Sequence, residues 1–187
     1  MDKKKALRYL FSGENIYSII FYVIVLYLII TYVAIPSVYA FSSVSYISAV
    51  VSGSMVHSYP SIQLTYYDWL QSHGYNMSQV SSWPFSGGIP IGSIAVAYKV
   101  QPPQIKIGDV IIYRATYNGV TEDIIHRVVN ETIVNGTYYY TTKGDANPYS
   151  LPFEFNIPYG RVVGRVNSII PYLGYPKYLF NTMANYI

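Results

Sequence analysis

Hydrophobic positions follow two regimes along this chain. Residues 16–35 form an apolar and tyrosine-rich run without a charge, interrupted only by Ser18 and Thr31. At about 1.5 Å per residue such a run reaches roughly 30 Å as a helix, the thickness of a bilayer core. It lacks an amphipathic stripe and follows a Lys/Arg cluster, so it reads as a membrane span rather than a buried core helix; Pro36 is expected to end it. From residue 46 onward, short β-rich runs alternate with turn signals. Strands are predicted over 46–52, 94–100, 110–114, 124–134, 137–143 and 161–166. Gly87-Gly88, Pro102-Pro103, Gly108, Gly144, Pro148, Pro152, Pro158 and Gly160 punctuate them.

The pattern predicts a mainly β domain of strongly bent sheet with short helical insertions. Residues 61–73 carry apolar side chains at helical spacing and stop at Gly74, which predicts a helix. In 175–187, Tyr175, Tyr178, Leu179, Met183 and Tyr186 share a helical face, which either lies on a membrane surface or packs against the β domain. The expected organisation is a basic N-terminus (1–15), a transmembrane helix (16–35), a linker (36–45) and an outer domain (46–187) with an insertion at 56–93.

Composition supports a membrane share. Only 11% of residues are charged, against roughly 25% in typical soluble domains. Of the basic residues, Lys3, Lys4, Lys5 and Arg8 crowd the N-terminus, and the net charge is only +3. That argues against nucleic acid as a partner. It also predicts a cytoplasmic N-terminus with everything after Pro36 outside. A cleavable signal peptide has an apolar stretch of roughly 7–15 residues, shorter than this one, and Ser37-Val38-Tyr39-Ala40 is a poor cleavage site. An uncleaved, single-pass anchor in the cell membrane is therefore expected. Asn76, Asn130 and Asn135 head Asn-x-Ser/Thr triplets on the expected outer side. With no cysteine, disulfides, thiolate metal sites and cysteine nucleophiles are excluded. His57, His73 and His126 are too unlike in context to suggest a zinc site, and no metal or organic cofactor is implied.

Two segments carry candidate chemistry. Ser52-Gly53-Ser54-Met55 follows the apolar Ala49-Val50-Val51. A strand running into such a turn can present a serine hydroxyl and leave backbone N–H groups free for an oxyanion. The second segment is Ile124-Ile125-His126-Arg127-Val128-Val129. Downstream, Asn135-Gly136 signals a two-residue type I′ turn, which would pair Val134 with Thr137 and make paired numbers total 271. His126 would then face Asp145, and Val128 would face Lys143. Opposed Cβ atoms lie about 4.5–5.5 Å apart, close enough for the carboxylate to hold an imidazole N–H. Histidine can take a serine proton near neutral pH, and a carboxylate on its other nitrogen fixes the tautomer. His57, three residues from Ser54, is the competing base; it leaves the turn in the wrong direction and has no acid near it in sequence. His73 reads as a surface or capping residue.

In this order, the segments resemble type I signal peptidase in its archaeal and endoplasmic-reticulum form. Ser52-Gly53-Ser54-Met55 is similar to the nucleophile box, and Ile105-Lys106-Ile107-Gly108-Asp109-Val110-Ile111-Ile112-Tyr113 to the next. Ile125-His126-Arg127-Val128-Val129 resembles the base box, where the bacterial form has lysine in place of histidine. Thr142-Lys143-Gly144-Asp145-Ala146-Asn147 resembles the acid box. Gly164-Arg165-Val166 with Ile170-Pro171-Tyr172-Leu173-Gly174 resembles the closing strand and turn. The resemblance implies a signal-peptidase-like bent sheet, Ser54 as nucleophile, His126 as general base and Asp145 as supporting acid. It implies an oxyanion hole made by the Ser54 N–H and the Ser52 hydroxyl.

Its substrates would be secretory preproteins with small residues at −1 and −3, bound as an extended strand beside the segment before Ser54. The translocation machinery is a possible further partner beside the lipid bilayer. This sequence departs from the pattern at His57, where the family usually has proline. It departs again at Ser150, where a second acid often stands; Glu154 is the nearest carboxylate. A self-cleaving repressor-type peptidase is disfavoured by the anchor and by histidine at 126. A non-catalytic anchored subunit that binds preproteins is the alternative of another class, against which Ser54, His126 and Asp145 all stand intact.

Overall fold

The computed structural model describes residues 11, 15–57, 60–117 and 119–184, which fall into two compact units divided between Ser43 and Val44. The basic positions at 3–5 and 8 lie outside the described residues. In the first unit, α1 (Ile16–Ile29) is started by Asn15, whose side-chain oxygen accepts the Ser18 N–H at 2.9 Å. A single π turn, Ile30–Ala34, leads into α2 (Ile35–Phe41). Ile16–Ser37 is one helix, 22 residues long, apolar enough to cross a membrane.

The expectation that Pro36 ends the helix is corrected. Proline cannot donate to the carbonyl of residue i−4 and its ring crowds that carbonyl. Here the turn before it widens: the Ile35 N–H bonds to the Ile30 carbonyl, five residues back. That local π register accommodates the ring, and the helix continues to Phe41. The expected linker 36–45 shrinks to Ser42 and Ser43.

The second unit is one seven-stranded antiparallel sheet. Its strands in chain order are β1 (Val44–Ala49), β2 (Ile94–Tyr98), β3 (Val110–Tyr117), β4 (Val120–Val134), β5 (Thr137–Lys143), β6 (Ile157–Pro158) and β7 (Val162–Ile170). Across the sheet they run β1-β2-β7-β3-β4-β5-β6. All six predicted runs are strands, with ends moved by a few residues. β4 begins earlier than expected because a further two-residue connection joins Tyr117 to Val120. The expected type I′ turn closes β4 and β5: Val134 pairs with Thr137, and both Asn135 and Gly136 have positive φ.

β3 explains its own sequence. Val110 and Ile112 enter one core with Val50, Met55, Ile89, Ala95, Ala97 and Val166. Ile111, Tyr113 and Ala115 enter a second with Ile105, Val128, Tyr140 and Ile157. Alternate residues face opposite sides of a strand, so a strand buried on both faces reads as a continuous apolar run. Irregularities in four ladders, at Val44/Tyr46, Val96/Ala97, Ile112/Tyr113 and Val128/Asn130, supply the bending that the turn-rich pattern predicts.

The insertion carries α3 (Pro60–Ser72) and α4 (Met77–Val80). Gly74, at φ 84°, ends α3 as expected: its N–H bonds to the Gln71 carbonyl and the Tyr75 N–H to that of Leu70. Asn76 caps α4 through Ser78. Tyr66, Leu70, Val80 and Trp83 form a third buried cluster. The C-terminal segment forms α5 (Tyr175–Ala184), with 185–187 outside the described residues. Tyr175 packs over Gly92, while Leu179, Phe180 and Met183 are exposed.

Candidate active site

The apolar β1 strand delivers the chain into a turn closed by the Val56 N–H on the Gly53 carbonyl. Ser54 sits in that turn, half-buried, with its hydroxyl 3.2 Å from that of Ser52. The carbonyls of Ser54 and Met55 accept the N–H groups of Ala146 and Ile89. Among the described residues no acceptor takes the Ser54 N–H, so that donor is free beside the hydroxyl. From the other side β4 contributes His126. Ser52, Ser54 and His126 line one cavity of about 130 Å³, walled by Ser48, Ala49, Val50 and Val51 on one flank and by Glu122, Asp123, Ile124 and Ile125 on the other. No direct hydrogen bond joins Ser54 to His126 among the described residues, a spacing common before substrate tightens such a pair.

The partner of His126 is Glu154, and the expected pairing of His126 with Asp145 is corrected. Paired numbers total 271 from Asn130 to Val134, as predicted, but 270 at Val128–Thr142 and Arg127–Lys143. Val129 is the extra residue. The bulge lies in β4, not at Gly144, and Lys143 stands opposite Arg127 rather than Val128. His126 is set over Gly144, where an added Cβ would come within 2.8 Å of its Nε2. Asp145 instead belongs to Arg127, whose Nε and Nη2 donate to its two oxygens at 2.9 and 2.7 Å. His126 and Arg127 are consecutive in an extended strand and point to opposite faces, so one acid cannot serve both.

Glu154 holds His126 Nδ1 at 2.5 Å. Both side chains are buried, the glutamate fully. Its aim follows from Leu151-Pro152-Phe153-Glu154. Proline presets the first position of a 3₁₀ turn, and the carboxylate folds back to accept the Leu151 N–H, as in a capping box. Thr142 adds a long contact at 3.4 Å. A carboxylate on Nδ1 places the ring proton there and leaves Nε2 as an acceptor. Glu154 was legible only as the nearest carboxylate after the acid box; the Pro-x-Glu turn was the further signal.

His57 has no acid near it in sequence, but the fold brings it a distant one: its Nε2 lies 3.0 Å from Asp145 Oδ2, both side chains buried. Burial pushes the Asp145 carboxyl up, but the Arg127 charge and the His57 and Arg127 hydrogen bonds outweigh it and hold it below its usual value. His73 is exposed as expected, stacked on Trp69 at 3.9 Å.

Lys143 is the one buried cation here with only carbonyl oxygens in reach among the described residues. Its Nζ meets Gly144 O at 3.1 Å and Asp145 O at 3.4 Å, and lies 5.0 Å from the Trp69 ring. Burial, opposed by the charges of Asp145 and Glu154, lowers its pKa to about 8. An unfolded lysine titrates near 10.4, so the folded chain releases this proton first. Stability is therefore expected to rise with pH between about 8 and 10.4 as the buried charge is discharged. Lys143→Met should flatten that rise and add about 1–2 kcal/mol at pH 7, read by thermal unfolding of the detergent-solubilised full chain.

No protein-family model matches the chain, and no match was found among curated proteins.

Proposed function

We propose that the chain is a membrane-anchored serine endopeptidase of the signal-peptidase type, cutting secretory preproteins outside the membrane after small residues at −1 and −3. One observation carries this reading: Ser54 and His126 share a cavity while the far nitrogen of His126 is held by a buried carboxylate. The acid of the proposed triad is Glu154, in the place first given to Asp145.

Ser54 Oγ attacks the scissile carbonyl as His126 Nε2 takes its proton. The Ser54 N–H, with the Ser52 hydroxyl, receives the developing oxyanion. His126 returns the proton to the leaving amine, and water, activated by the same nitrogen, releases the acyl group from Ser54. Glu154 keeps the ring in the required tautomer throughout. Among the described residues β1 stands at one end of the sheet, and its last residues, 47–49, run straight towards the Ser54 turn, the segment beside which an extended peptide would lie. A cavity this small supports selection of small side chains by size. The apolar helix Ile16–Ser37 serves as the anchor, and the N-terminal lysines orient the N-terminus to the cytoplasm.

The test is cleavage of a membrane-targeted preprotein by the full chain in liposomes. Alanine at −1 and −3 should support cleavage, and replacing the −1 alanine by leucine should lower kcat/KM about a hundredfold or more, as overpacking in a closed site costs about 1–3 kcal/mol and misplaces the bond. Equal cleavage of both substrates would overturn the specificity. Binding of the preprotein without any cleavage would favour the non-catalytic subunit.

A further inference from the structure

His57 stands three residues beyond Ser54 yet does not line the cavity that holds Ser54 and His126. Its ring is fixed on three sides. Nε2 bonds to Asp145, the Tyr66 ring lies 4.5 Å away centroid to centroid, and Gly88, at φ 81°, packs so closely that a Cβ there would come within 2.8 Å of His57 Cγ. His57, Asp145 and Arg127 are all buried. Arg127 also donates to the carbonyls of Pro84, Gly108 and Phe85 at 2.7, 2.8 and 3.0 Å. The Asp145 carboxylate thus has the Ser54 turn on one side and, on the other, the residue next to His126. The adjacent Ala146 N–H reaches the Ser54 carbonyl at 2.8 Å.

We propose that His57 is a positioning residue: through Asp145 and Arg127 it clamps the turn bearing Ser54 to the strand bearing His126. This rests on the reading of Ser54 and His126 as nucleophile and base. The nucleophile turn is short and its hydroxyl is half-exposed, so something must fix it against β4 within the tolerance of proton transfer. The three-residue chain of charge-assisted hydrogen bonds does so from beneath, outside the reacting space. His57 is then not a second base. A glutamine should substitute for it, since its amide nitrogen reaches about as far as Nε2 and can donate to Asp145; leucine cannot.

The experiment compares wild type, His57→Gln and His57→Leu as full chains in liposomes, by cleavage kinetics and by hydrogen exchange of the 53–56 amides. His57→Leu should lower kcat about a hundredfold, the cost of a misplacement of about 1 Å, with KM within about threefold, and should speed exchange in the turn. His57→Gln should retain kcat within about fivefold and near-native exchange, because the donor is kept. It should also keep the acid limb of the kcat/KM profile. Wild-type kcat and native exchange in His57→Leu would overturn the clamp. Loss of the acid limb in His57→Gln would overturn it too, by making His57 the base. Exchange is independent of turnover: if wild type cleaves nothing, the peptidase reading fails, and faster exchange in His57→Leu alone still decides the clamp. If His57→Leu does not fold, His57→Met, which also lacks a donor, takes its place: wild-type kcat and native exchange in that variant would overturn the clamp.

Discussion

Replacing Ser54 by alanine is expected to abolish preprotein cleavage, lowering kcat on the order of 10⁴-fold or more while the chain stays folded. Ser54 is half-buried in a turn whose shape is set by backbone contacts from Val56, Ala146 and Ile89. None of these involves its hydroxyl, so removing Oγ leaves the turn intact. Ser52 is the other hydroxyl in reach, 3.2 Å away. Ser52→Ala should therefore cost far less, about 10²–10³ in kcat, the usual effect of losing one oxyanion donor. Labelling by a serine-reactive phosphonate would check the assignment directly: modification of Ser54 that disappears in Ser54→Ala and survives in Ser52→Ala is the expected result. Undiminished cleavage by Ser54→Ala would remove the nucleophile from the proposal.

The second large effect separates the two buried acids. Glu154→Gln should lower kcat by about 10⁴, because an amide can no longer compel the Nδ1–H tautomer of His126, and KM should change little. Asp145→Asn should act first on the fold and, through the clamp, lower kcat by no more than His57→Leu does. It leaves the fully buried Arg127 guanidinium without its counter-charge, at a cost of about 3–5 kcal/mol, seen as a lower Tm in detergent. The pH dependence has a definite sign. The Asp145 carboxyl is held below its ordinary value in the folded chain, so its contribution is full above the unfolded value of about 3.9. It fades as pH falls through the lower folded value. Acid unfolding of the wild type should steepen below about pH 4, and Asp145→Asn should lack that component. If Asp145→Asn instead lost activity with Tm unchanged while Glu154→Gln stayed active, the acids would have been assigned the wrong way round.

Strand content was legible because period-two alternation and Gly/Pro punctuation act locally. The Asn135-Gly136 turn was legible for the same reason, and it fixed the hairpin correctly as far as Asn130. What the sequence could not carry was the extra residue at Val129. A bulge depends on how two strands and their neighbours twist together, and valine has no local signature for it. That single residue moved Asp145 away from His126. The His57–Asp145 pair spans 88 positions and depends on how the chain after Ser54 packs against the turn that follows β5, which no local pattern encodes. Pro36 misled because its ordinary effect on a helix was relieved by a widened turn just before it. Ser54 and His126 were singled out by the chemistry each could do, and the fold brings both to the lining of one cavity.

The sheet ends very differently on its two sides. β6 is only two residues long and contains Pro158, which removes a donor from that margin. β1 is longer and contains no proline. If preproteins lie beside residues 47–49 as proposed, any other extended chain that reaches that short stretch before the Ser54 turn competes with them. Crowding in a membrane would therefore set preproteins in competition with neighbouring copies of the chain itself. Specific activity should fall as surface density rises, an inhibition by abundance that diluting the protein into more lipid would reverse.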